Sequence, residues 1–180
     1  MSIRESPGMD RSRLHLVPHD ASWSAWYLSE SARIGAALGD LALRIDHIGS
    51  TAVPGLIAKP IIDIAIVTQD IDGAERCGPR LEPLGYRYRG QHGDDPLRRY
   101  LVLDQGIRRI AQVHVWAAES PAWRATLGFR DLLRTRPDVR SDYAREKLRA
   151  AQAVGWDKAK YSIEKGSFIE GVLTQEHDRR

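Results

Sequence analysis

The sequence predicts an α+β domain with its sheet in the middle of the chain and helices packed on one face. Three observations lead there. A stripe of aromatic and aliphatic residues at helical spacing comes first, strand-like stretches interrupted by one helix follow, and from about residue 119 the pattern is helical. At 180 residues the chain can build one full core and is short for two.

Residues up to about 12 are polar around Pro7 and Gly8 and are expected to fray. Leu14, His15, Leu16, Val17 and Pro18 form a short extended segment. Asp20 or Ser22 can cap the helix whose apolar stripe is Trp23, Trp26, Tyr27, Ile34 and Leu38. Those aromatics could line a base pocket, but core packing is the favoured reading. Residues 41–48 read as the first strand and 61–67 as the second, separated by breakers at Pro54, Gly55 and Pro60. In the second strand Ile62, Ile64 and Ile66 share a face, while Asp63 lies on the other with Ile61, Ala65 and Val67.

The spacing of Ala74, Cys77, Leu81 and Leu84 predicts a helix over 72–84, with Gly78 and Pro79 arguing for a break or a late start. Residues 86–89 alternate as a half-exposed strand. Residues 99–103 and 110–116 form two more, joined through Asp104, Gln105 and Gly106. In the last, alternation puts Gln112 and His114 on one face, beside Asp63. Helices follow from Ser120-Pro121 to Arg136, over 138–154 and over 157–173.

A single cysteine, Cys77, excludes an internal disulfide and a cysteine-based zinc site. With no apolar run long enough to span a bilayer and no export signal, a cytoplasmic location is expected, with no membrane partner. The net charge of +3 is spread among acids, as in Arg145-Glu146-Lys147, and reads as solvated surface. Nucleic acid is therefore ranked last among partners, behind a nucleotide or phosphorylated small molecule.

The functional lead is the run from His47 through Gly49, Ser50 and Thr51 to Asp63. A Gly-Ser-Thr turn offers backbone N–H groups and hydroxyls that suit phosphate. Asp63 interrupts an aliphatic strand, so it needs a metal, a cation or a sheet face open to water. Phosphoryl and nucleotidyl transfer require this pairing of anion cradle and metal-binding carboxylate.

Residues 47–56, with Lys59, Pro60, Ile61, Ile62, Asp63 and Ile64, resemble the signature of the GrpB family. His114 between two valines, the run from Phe129 to Arg134, and Tyr161 with Lys165 and Phe168 resemble it in order and spacing. The resemblance spans residues 14–174, leaving 1–13 as a flexible leader. It implies a nucleotidyltransferase-like fold, a mixed β-sheet with flanking helices and a helical C-terminal tail, and relatives fused to dephospho-CoA kinase. Active members of the broader superfamily carry two acids one residue apart and a third on a later strand. Here the second position is Ala65, and the third falls near Gln112 or His114.

Two readings follow. In one, the protein is a possible nucleotidyltransferase: Asp63 binds Mg2+, His114 serves as ligand or base, and Gly49, Ser50, Thr51, Lys59, Arg130 and Arg134 hold phosphate. Tyr161 and Lys165 reach the cleft by analogy with the family. In the other, the protein is a non-catalytic nucleotide or coenzyme A binding module with a degenerate metal site. Each basic residue also has a structural reading: Lys59 can pair with Asp63, and Arg130 and Arg134 can pair with Asp131 or Asp138.

Overall fold

The computed structural model describes residues 7–10, 14–91, 93–157, 160–161, 164 and 166–178. Six strands form one sheet: β1 (Met9–Asp10), β2 (Arg44–Ile48), β3 (Ile62–Thr68), β4 (Tyr86–Gln91), β5 (Arg98–Gln105) and β6 (Arg108–Ala117). Among the described residues, the helices with both ends described are α1 (Ser22–Leu38), α2 (Ile71–Leu81), α3 (Ala122–Thr135), α4 (Pro137–Ala153) and α5 (Gly166–Asp178). The strand order is β2-β3-β6-β5-β4, and among the described strands only β3 and β6 run parallel. This is an α+β layout with a mixed sheet, as the sequence predicts.

Alternation sorts the sheet into two faces. Ile62, Ile64 and Ile66 of β3, with Ala111, Val113 and Val115 of β6, pack under α1 and α2 with Trp23, Ile34, Leu38, Cys77 and Leu81. Trp23 is buried and Trp26 and Tyr27 are partly so, which settles the aromatic stripe as core. The opposite face carries Asp63, Ala65, Gln112 and His114, and α3 packs part of it through Leu127 against Ile48, Ala65 and Trp116. The remaining C-terminal helices close round it, with Leu133, Tyr143, Phe168 and Ile169 packed on Val53 and Leu56 beyond the β2–β3 turn.

Several boundaries differ from expectation. The α2 helix is capped by Asp70, whose Oδ1 accepts the Gly73 N–H at 2.7 Å, and it continues through Gly78 and Pro79. Pro79 lies in the last turn, and the missing Cβ of Gly78 lets the Tyr88 ring sit about 3.1 Å from where it would stand, so packing outweighs propensity there. The β5–β6 connection is Gly106-Ile107, with Gly106 at φ +58° leading as a two-residue hairpin turn requires. Asp104, expected in the turn, is a strand residue bonded to Arg109 at 2.5 Å and to Arg87.

Within the expected leader, Met9 and Asp10 pair with Arg109 and Arg108, continuing on β6 the lane that β3 occupies further along. No described helix is long and apolar enough to cross a membrane.

Candidate functional site

The site is built where β2 ends. Ile48 is paired with Asp63, and the chain then reverses through Gly49 into a single helical turn, Ser50–Ala52. Gly49 has φ +69° and ψ −171°, a region that side chains beyond hydrogen exclude. A Cβ there would also stand 2.5 Å from Asp63 Oδ2. Only glycine lets the carboxylate lie against the turn. Among the described residues, no backbone carbonyl takes the N–H groups of Ser50 and Thr51, as expected at the start of a helical turn.

The hydroxyls of the turn have different duties. Thr51 is buried, and its Oγ1 donates to the Ile61 carbonyl at 3.4 Å and lies 3.0 Å from His47 Nε2. With that proton committed, the imidazole donates to Thr51. Burial pushes the His47 pKa down to about 4, so the ring is neutral at pH 7, stacked on Tyr27 at 4.6 Å. His47 and Thr51 thus brace the turn. Ser50 instead meets α4: Lys147, only 2% exposed, donates from Nζ to Ser50 Oγ at 2.9 Å and to the Ile57 carbonyl. Tyr143, one helical turn earlier, also bonds to Ser50, and burial raises its pKa.

The open sheet face supplies the floor. His114 Nε2 is 3.9 Å from Asp63 Oδ1, so the two sequence-predicted side chains do come together. Gln112 is paired with Asp63 across β3–β6, and its Oε1 accepts from Tyr100 Oη at 2.5 Å. Arg109 donates to the same Tyr100 oxygen at 3.4 Å, which fixes the direction of the Tyr100 proton and hence the Gln112 amide. Burial holds the Tyr100 pKa at about 12, so it stays a donor.

Arg130 and Arg134 grip the turn from outside. Arg130 donates to the His47 carbonyl at 2.9 Å, is 3.4 Å from Asp46, and forks onto Asp131. Arg134 Nε donates to the Ala52 carbonyl at 2.9 Å. Arg130 lines the cavity described below; Arg134 is not among its described lining residues. Both therefore do the structural work of clamping α3 to the backbone around Gly49. Lys59 lies 5.9 Å from the centre of the buried Tyr161 ring, and both line the cavity. Lys165 lies outside the described residues.

Together these groups enclose a cavity of about 500 Å³. Its walls hold Asp63 with the cations Lys59, Arg98, Arg130 and Lys147, over an apolar side made by α3 and α5. That size suits a nucleotide-scale ligand, and the charge balance favours an anion. Among the described residues no group of three or more His, Cys, Asp or Glu side chains could hold a metal ion.

Two lining cations escaped the sequence reading. Lys147 reads as surface beside Arg145 and Glu146, yet it falls on the buried stripe of α4 with Tyr143 and Ala150. That i, i+4, i+7 spacing was the available signal. Arg98 lies one residue before the expected start of its strand; extending the alternation back from Tyr100 places both on the open face.

Against known proteins, residues 13–175 match the family described as GrpB protein. The chain belongs to the GrpB family. A GrpB relative from Streptomyces coelicolor is 38% identical over 168 residues, covering 93% of this chain and 87% of its own length. The crystal structure of the conserved protein GrpB from Enterococcus faecalis superposes with a TM-score of 0.80 at 30% identity, covering 89% of this chain and 96% of that one. A protein named dephospho-CoA kinase from Mycolicibacterium paratuberculosis is 32% identical over 195 residues, which span 93% of this chain but 47% of that protein.

Proposed function

We propose that this GrpB protein binds a nucleotide or another phosphorylated small molecule in the cavity, with phosphate against the Gly49-Ser50 turn. The observation that carries this reading is the buried Lys147 ammonium fixed on Ser50 Oγ at 2.9 Å. A charged lysine is costly to bury, and placing it at a turn that presents N–H groups makes a site for an anion. A dinucleotide-sized cofactor with a pyrophosphate, such as coenzyme A, belongs to the same ligand class.

Asp63 bears on whether a metal takes part. It lies against the turn, so a bound phosphate and this carboxylate would repel unless a cation stands between them. Magnesium is commonly held by one or two carboxylates together with substrate phosphates, and Asp63 fits that role for a single ion. The residues do not fit a two-ion centre, since Ala65, and Gln112 or His114, stand where further carboxylates would be needed. Metal-dependent nucleotidyl transfer is the second reading, favoured by the 3.9 Å approach of His114 to Asp63. In it His114 would accept or hold a proton beside the reacting phosphate.

Calorimetric titration with ATP, ADP and coenzyme A, each with magnesium and with EDTA, tests both. Ser50→Ala is expected to weaken binding of the preferred ligand by about tenfold, as loss of one hydroxyl contact to an anion does. Binding that survives EDTA and Asp63→Ala supports the binding module. Binding abolished by both supports the metal-dependent reading. Wild-type affinity in Ser50→Ala would remove the phosphate from this turn.

A further inference from the structure

We infer that Arg98 forms a second oxyanion subsite, at the opposite end of the cavity from the Gly49-Ser50 turn. Arg98 lines the cavity, and its Nε–H is buried with no hydrogen-bond acceptor among the described residues. The acid whose field reaches it is Asp95. Both oxygens of that acid are engaged elsewhere, Oδ1 by the Leu97 N–H at 2.9 Å and Oδ2 by the Ser120 hydroxyl at 2.7 Å. The guanidinium instead lies 5.7 Å from the centre of the Trp116 ring. Trp116 is 2% exposed, and its indole Nε1–H likewise has no acceptor among the described residues.

Two donors without acceptors in one corner are unusual, because a buried N–H left unmade costs about 1–3 kcal/mol. A planar guanidinium placed beside an aromatic ring is suited to a carboxylate or phosphate, which it can take through two parallel N–H groups. Burial makes its charge costlier to hold, and an anionic ligand would offset that cost.

Register sets the spacing. Arg98 is paired with Trp116, and Asp63 with Gln112, four residues away along β6. Four residues along a strand cover roughly 13 Å. One ligand with acidic groups at both ends, or a phosphorylated ligand beside an acidic second substrate, matches that layout. The inference rests on the cavity being a ligand site and not on phosphate occupying the turn.

Soaking crystals of the full chain with sodium selenate and measuring anomalous diffraction tests each end separately. A peak bonded to the Arg98 guanidinium is expected. A peak at Ser50 and Lys147 without one at Arg98 overturns this inference and leaves the proposed function standing. A peak at Arg98 alone supports it and counts against the phosphate position at the turn. Peaks at neither end reject both. In solution, Arg98→Gln should weaken binding of inorganic phosphate or of succinate by about tenfold, the loss of a charged donor pair. Whichever of the two displaces selenate from Arg98 identifies the group as phosphate or carboxylate. Unchanged binding of both anions in a folded Arg98→Gln would overturn the assignment.

Discussion

Replacing Gly49 with alanine tests the contact on which the site depends. Two costs are expected. The backbone at φ +69° and ψ −171° belongs to a region that is essentially glycine-only, and holding another residue there costs about 1–3 kcal/mol. The new Cβ would meet Asp63 Oδ2 at 2.5 Å and its Cβ and Cγ at 3.1 Å, and relieving such overpacking costs a further 1–3 kcal/mol or so. A total near 4 kcal/mol lowers the melting temperature of a domain this size by roughly 8–16 °C. Thermal and urea denaturation read the total, and a double-mutant cycle separates its parts. In an Asp63→Ala background the Oδ2 and Cγ contacts are gone and only the one to Cβ remains, so the same substitution should cost about 1–3 kcal/mol less. Equal costs in the two backgrounds would refute the close approach of carboxylate and turn. An unchanged melting temperature in the single variant would refute the strained glycine as well.

Three other outcomes follow from the packing. Because burial lowers the His47 pKa from 6.5 to about 4, its neutral form is the one the fold accepts. That contribution is complete above about pH 6.5 and is lost as pH falls toward and through 4, by about 2 kcal/mol between pH 7 and pH 5. His47→Gln, which keeps a donor for Thr51, should flatten that part of the urea-measured pH profile; a slope equal to wild type would be inconsistent with the burial. Arg130→Lys should lose the fork onto Asp131 and the bond to the His47 carbonyl, costing about 1–3 kcal/mol and speeding hydrogen exchange over residues 47–52. Exchange there at the wild-type rate would show that the clamp carries little. Cys77 is fully buried with its pKa pushed up to about 12 by burial, so Ellman's reagent should leave it untouched in native protein and modify it in urea. Rapid labelling of the native state would contradict that burial.

The division between legible and hidden features has a physical basis. Strands were readable because a period of two survives without knowledge of neighbours, and Asp63 against isoleucines showed directly which face of β3 is open. The same alternation placed Gln112 and His114 beside it, and the register confirms that placement. Arg130 and Arg134 were found as a pair, but their bonds to the His47 and Ala52 carbonyls depend on how α3 docks, which no local pattern encodes. Lys147 was hidden by composition: a lysine amid charges looks solvated unless its place on the stripe with Tyr143 is counted. Asp70 caps α2 two residues before the expected start through a local bond to Gly73, whereas the helix outlasts Pro79 because Gly78 admits Tyr88, which depends on tertiary contact.

The bonds that hold α3 and α4 to the Gly49-Ser50 turn join residues far apart in sequence: Arg134 to Ala52 across 82 positions, Arg130 to His47 across 83, Lys147 to Ser50 across 97. Closing loops of that length is an entropic barrier that must be crossed before any of those contacts forms. Loop length thus predicts that the cavity closes after the β2–β3 hairpin, whose register partners lie far closer in sequence, has paired. A ligand spanning turn and helices would act as a removable cross-link between the early and late parts of the chain. Its dissociation constant could be read from the rise of unfolding free energy with ligand concentration, before any reaction is known.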